Sequence, residues 1–67
     1  MAVKRFGVVL KDLREQRGLS QQTLADRVGV SDAYIAMLET GTRRNPSLTL
    51  LQRLAKALGV PVTALLS

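Results

Sequence analysis

Four of the five glycines in this 67-residue chain close the same kind of phrase. Gly18, Gly29, Gly41 and Gly59 each follow a run whose apolar residues recur at helical spacing, and three of those runs open on a serine, at Ser20, Ser31 and Ser47. A serine oxygen can accept from the free amides of a helix's first turn, and a glycine just past the last turn takes the left-handed backbone that stops it. This punctuation cuts the chain into short helices. The residues around it agree: Leu19, ahead of Ser20, is placed to staple onto Leu24, and Val30, ahead of Ser31, onto Ile35.

Between the stops the apolar residues line up on single faces. Phe6, Val9, Leu10 and Leu13 fall at i, i+3, i+4 and i+7, which predicts a first helix of roughly 13 residues ending at Gly18. Leu51, Leu54, Ala55 and Leu58 form the stripe of a fourth helix, and "PVTALLS", residues 61–67, reads as a last turn or short terminal helix. There is no strand-like alternation, internal repeat or low-complexity tract. The expected fold is all-α, a compact bundle of four to five short helices forming one domain over residues 1–67, with residues 1–4 as a candidate disordered arm. Helices this short cannot each bury a stripe alone. Phe6, Val9, Leu13, Leu24, Val28, Ile35, Leu38, Leu51, Leu54 and Leu58 are therefore assigned to one shared core.

Composition narrows the chemistry. A domain of this size buries only about 60% of its unfolded surface and needs good packing or a partner. The chain has neither Cys nor His. Disulfides, thiolate metal sites and the usual neutral-pH proton shuttle are excluded, so no metal and no cofactor is expected. The acids Asp12 and Glu15 are neighbours on one helical turn, but beside Lys11 and Arg14 they read as a solvated face, and no nucleophile–base set or phosphate-cradling loop is present; no enzyme is expected. No apolar run approaches the ~20 residues of a membrane span and no signal-peptide core is visible, which points to a cytoplasmic protein. Ten Lys and Arg against five Asp and Glu leave a formal charge of +5. The isoelectric point near 10.9 favours a polyanionic partner.

Residues 19–41 carry the functional signal. Two short helices joined by a tight turn containing glycine, the second capped by serine, form a helix-turn-helix pattern, whose second helix enters the DNA major groove. At 100° per residue, Ile35 and Leu38 lie about 60° apart on one side of that helix, while Asp32, Ala33, Ala36, Met37 and Thr40 share an arc of about 140° elsewhere. One side anchors and the other is free.

The separated pieces "LREQRGLSQQTLADRVGVS", "YIAMLETG", "NPSLTLLQRLAKALGV" and a terminal "LL" stand in an order that strongly resembles the lambda-type phage repressor and Cro family of helix-turn-helix DNA-binding domains, over residues 5–66. The resemblance implies a sequence-specific transcriptional regulator of double-stranded DNA, a small homodimeric repressor or controller on a pseudo-palindromic operator. It implies that Gln21, opening the second helix, contacts the DNA backbone with Gln22 assisting, and that Ser31 touches phosphate. Asp32, Ala33 and Met37 become the base readers, with Ala36 and Tyr34 beside them, Tyr34 being a candidate phosphate contact as well. The loop "TRRN" would lie along the backbone, its main contacts from Arg43 and Arg44, with Thr42 and Asn45 adding to them. An ion pair between Arg14 and Glu39 is implied as a structural feature.

The readers depart from the family's glutamine- and asparagine-rich examples. Ala and Met cannot make bidentate bonds to adenine or guanine, which leaves apolar contact with thymine methyls and a dependence on DNA shape. Asp32 has two readings, an acceptor for cytosine N4 or a helix-start charge favourable to the dipole. Tyr34 has packing beside the core as its rival role, and Lys4 and Arg5 are either an arm near DNA or plain chain start. Arg17 pairing locally with nearby acids is the alternative to the Arg14–Glu39 pair, and Arg53 and Lys56, interleaved with leucines, read as a solvated face over a core stripe in preference to a basic amphipathic membrane helix. Val62, Leu65 and Leu66 form a candidate dimer interface, with core closure as the competing reading. The alternative function is a protein-interaction module, an antitoxin-like adaptor or coactivator, that presents the small apolar face of the third helix to a protein.

Overall fold

Ser20, Ser31 and Ser47 each hold the extended backbone of a helix cap, and their side chains accept from the amides of Thr23, Tyr34 and Leu50. They open three of the five helices of a computed structural model that describes residues 5–43 and 46–66: α1 (Arg5–Gln16), α2 (Gln21–Val28), α3 (Asp32–Thr40), α4 (Leu48–Leu58) and α5 (Val62–Leu66). There is no strand among the described residues. Arg5 is the first residue of α1, and Lys4 lies outside the described residues.

The helix ends follow from the same local grammar. After α1, α2 and α4 the residue beyond the glycine turns its amide back on the last turn: Leu19 to the Arg14 carbonyl at 3.1 Å, Val30 to Ala25 at 3.0 Å and Val60 to Ala55 at 3.0 Å. These are bonds of the Schellman type, satisfying carbonyls that the helix itself leaves free. At α3 the returning amide belongs instead to Arg43, which reaches the Met37 carbonyl at 3.0 Å.

One core unites the helices. Leu10, Leu24, Ala25, Val28, Ile35, Leu38, Leu50, Leu54, Ala55, Leu58 and Leu65 are buried, with Phe6, Val9, Leu13 and Leu51 packed against them at partial exposure. The last four were expected in the interior. On α1 the centre of the stripe is Leu10, because the flank next to it also carries the buried Gly7 and Arg14, where α1 meets α3.

Two contacts seat α1. A Cβ on Gly7 would come within 2.5 Å of the Glu39 carbonyl oxygen and 2.6 Å of that of Leu38, so the lack of a side chain there sets how closely α1 and α3 approach. Arg17 donates its Nε proton to the Leu58 carbonyl at 2.6 Å, placing a cation on the negative end of the α4 dipole. This long-range cap, in place of pairing with nearby acids, engages the Arg17 side chain.

α5 packs on α4 and α1, and Leu65 has no exposed surface. The reading of Leu65 as part of a dimer interface is therefore corrected: its side chain closes the core. Val62 is half-buried, while Leu66 remains 61% exposed. No described helix is long and apolar enough to cross a membrane.

Candidate nucleic-acid interface

The third helix is held by its apolar side. Ile35 and Leu38 are fully buried, and the three residues at positions 29–31 fold α2 against α3 with Gly29 in the left-handed region at φ 81°. Ser31, Asp32 and Ala33 are exposed, as is Thr40, whereas Ala36 and Met37 are half-buried. The open flank is thus narrower than the sequence arc suggests. α3 packs against both α1 and α2.

Beneath this flank lies an ionic clamp. Arg14 donates from Nε to Glu39 Oε2 at 2.6 Å and from its second terminal nitrogen to Oε1 at 3.2 Å, and its other terminal nitrogen reaches the Leu19 carbonyl at 2.6 Å. Both side chains are at most one-tenth exposed. The hydrogen bond to Glu39 holds the guanidinium's pKa above its ordinary value, against the opposing effect of burial. A raised folded-state pKa means that this contribution is fully present below the unfolded value and fades only as pH rises through the folded one, far into the alkaline range. Among the described residues no buried side-chain nitrogen or oxygen lacks a partner.

Gln21 joins the same carboxylate. Its Nε2 donates to Glu39 Oε1 at 3.0 Å, which uses one of the two amide protons and leaves the other for an acceptor outside. The clamp so ties the first residue of α2 to the last turn of α3 and to the end of α1. Gln22, next to it, is exposed.

At the start of α3, Asp32 Oδ1 accepts from the Ala33 amide at 2.8 Å, an arrangement that suits a carboxylate at a helix N-terminus. Past its end, the hydroxyls of Thr40 and Thr42 lie 3.1 Å apart, and the exposed Arg43 sets its guanidinium over the Tyr34 ring, 5.8 Å from the centroid. Arg44 and Asn45 lie outside the described residues. Gln21, Ser31, Asp32, Ala33 and Arg43 are thus carried on or beside one α2–α3 unit.

A shallow recess of about 420 Å³ opens between the first turns of α3 and α4, lined by Val30, Ser31, Tyr34, Ser47, Thr49, Leu50 and Arg53. Arg53 is exposed, in keeping with the solvated face of α4, and it also lines this recess. Its place beside two serine caps depends on how α4 lies against the α2–α3 pair, and spacing along α4 alone carries no such signal.

Comparison with known proteins agrees with this geometry. The helix-turn-helix family model matches residues 10–65. The chain belongs to the helix-turn-helix family of Cro/C1 type. As a member of that family it is 47% identical over 51 residues to an uncharacterized HTH-type transcriptional regulator of Methanothermobacter thermautotrophicus, covering 76% of this chain and 72% of the other. The restriction-modification controller protein C.AhdI of Aeromonas hydrophila superposes with a TM-score of 0.88 at 40% identity, over 94% of both chains. SinR, a master regulator for biofilm formation solved in complex with DNA, superposes at 0.88 with 32% identity over 92% of this chain and 98% of that one.

Proposed function

We propose that this helix-turn-helix protein is a transcriptional regulator that reads double-stranded DNA by laying α3 in the major groove. The observation that carries the reading is the orientation of α3: Ile35 and Leu38 are sunk in the core and Asp32 and Ala33 stand in solvent, with Arg43 exposed just past the same helix. The DNA complex of SinR, a protein 32% identical to this chain, supports it.

In this reading Ala33, Met37 and Ala36 meet base edges through methyl groups, which favours thymines, and Asp32 either accepts from a cytosine or only neutralises the helix start. Gln21 offers its second amide proton to a phosphate, helped by Gln22, and Ser31, Thr42, Arg43, Arg44 and Asn45 supply the remaining backbone contacts, with Tyr34 beside them. The protein acts in the cytoplasm as a small repressor or controller, without catalysis, cofactor or metal. It binds as a homodimer to a pseudo-palindromic operator whose half-site centres lie about 10 bp apart or a multiple of that. Val62 and the exposed Leu66 of α5 are its candidate contacts between subunits.

Selection from a random duplex library, followed by titration of the winning site at several salt concentrations, tests the proposal. The expected result is a two-fold-related, thymine-containing site whose affinity falls steeply with salt, less steeply when Arg43 and Arg44 are replaced by Ala. A folded protein that binds no duplex above background would move the α3 face to the adaptor reading, with a protein partner.

A further inference from the structure

Tyr34 is a candidate for touching phosphate itself, yet its surroundings suggest different work. Its ring is half-buried on α3, and the guanidinium of Arg43 lies 5.8 Å above its centroid. The stack is one of two ties on the same residue, since the Arg43 amide also bonds to the Met37 carbonyl at 3.0 Å. The other helices that end at a glycine return an amide one residue earlier. The extra residue after α3 brings the Arg43 side chain back over the recognition helix.

A guanidinium is planar and weakly hydrated, so it can lie on an aromatic face while its edge N–H groups stay free to donate. An exposed arginine otherwise samples many rotamers and loses that freedom when it grips a phosphate. A ring already under the guanidinium removes part of that loss before DNA arrives. We propose that Tyr34 is a positioning residue: its aromatic face holds Arg43 in register with α3, so that the loop's phosphate contact and the base-reading flank move as one body. This rests on the duplex-DNA reading above.

Ring and hydroxyl can be tested apart. Tyr34→Phe keeps the face and should leave duplex affinity and its salt dependence as in the parent. Tyr34→Leu keeps apolar bulk without the face. It should weaken duplex binding several-fold while the salt slope stays near the parent's, because Arg43 keeps its charge and loses only its preset position. Arg43→Ala should bind more weakly still and reduce the slope of log K against log salt by about 0.9, the amount expected when one phosphate contact is lost; the double variant Tyr34→Leu/Arg43→Ala should bind no more weakly than Arg43→Ala alone. Weaker binding by Tyr34→Phe would overturn the proposal in favour of a direct hydroxyl–phosphate contact. A further loss on adding Tyr34→Leu to Arg43→Ala, or a Tyr34→Leu protein with the parental affinity, would overturn it too.

A second measurement needs no DNA. Tyr34 is the only aromatic residue besides Phe6. The side-chain protons of Arg43 should show an upfield ring-current shift in the free protein, kept in Tyr34→Phe and lost in Tyr34→Leu. If the shift is present and no duplex binds, the stack stands and the DNA reading falls. If duplex binds and the shift is absent, the positioning role falls and the DNA reading stands.

Discussion

Arg14 and Glu39 are one ion pair by distance and a three-element joint by connectivity. Taken as an exchange for apolar side chains, a buried pair of this kind adds little stability, but losing one member strands the other charge. Arg14→Ala should therefore lower unfolding free energy by about 3–5 kcal/mol, read from urea denaturation, a large part of what a domain this small possesses. Parental stability in that variant would show that the clamp is ornamental. Gly7 is a second sensitive residue. Its missing side chain faces the carbonyls of Leu38 and Glu39, which are backbone and cannot rotate aside. Gly7→Ala should cost about 1–3 kcal/mol as α1 is pushed from α3. Gly41→Ala meets no atom within 4 Å and loses only through its left-handed backbone at φ 85°, about 1 kcal/mol. Thermal melts of the two variants rank the effects.

Each helix is specified at its ends more firmly than along its length. Replacing Ser31 by Ala leaves the Tyr34 amide without its side-chain acceptor and should destabilise by about 1 kcal/mol, with little change elsewhere on the surface. Circular dichroism during denaturation checks this. These caps were legible because they are local: a serine, a glycine and the residues three or four apart are all that a cap requires. The division of Leu10 from Phe6, Val9 and Leu13 was not legible, since a periodic stripe says which side faces inward but not which member lies beneath a neighbouring helix. The half-burial of Ala36 and Met37 was not legible either, because a helical wheel does not show what packs around the helix. The partner of Arg17 was not legible for a related reason. Its acceptor, the Leu58 carbonyl, lies 41 residues away and has no side-chain signature.

For the molecule as a whole, α5 decides whether the bundle closes. Leu65 is fully buried between elements that come from both halves of the chain, so removing residues 62–67 should abolish cooperative unfolding rather than release a folded monomer. Leu66→Asp provides the contrasting case. With 61% of its surface open, Leu66 should accept the charge within about 0.5 kcal/mol of the parent's stability. Sedimentation at micromolar concentration then asks whether the subunits separate; an unchanged mass would put the dimer contact elsewhere. The helix-turn-helix architecture was visible in the sequence because cap, staple and stripe all demanded it, whereas the wiring between α1, α2 and α3 became visible only when distant backbones met.

The exposed methyl of Ala33 has one more implication. A position that contributes so small a group, on a helix whose buried anchors Ile35 and Leu38 lie on its other side, is free to be rewritten. Under the proposed DNA reading, Ala33→Gln would add a two-pronged amide without touching Ile35 or Leu38, so that a regulator of this build could acquire a new vocabulary by single steps while its scaffold stays whole.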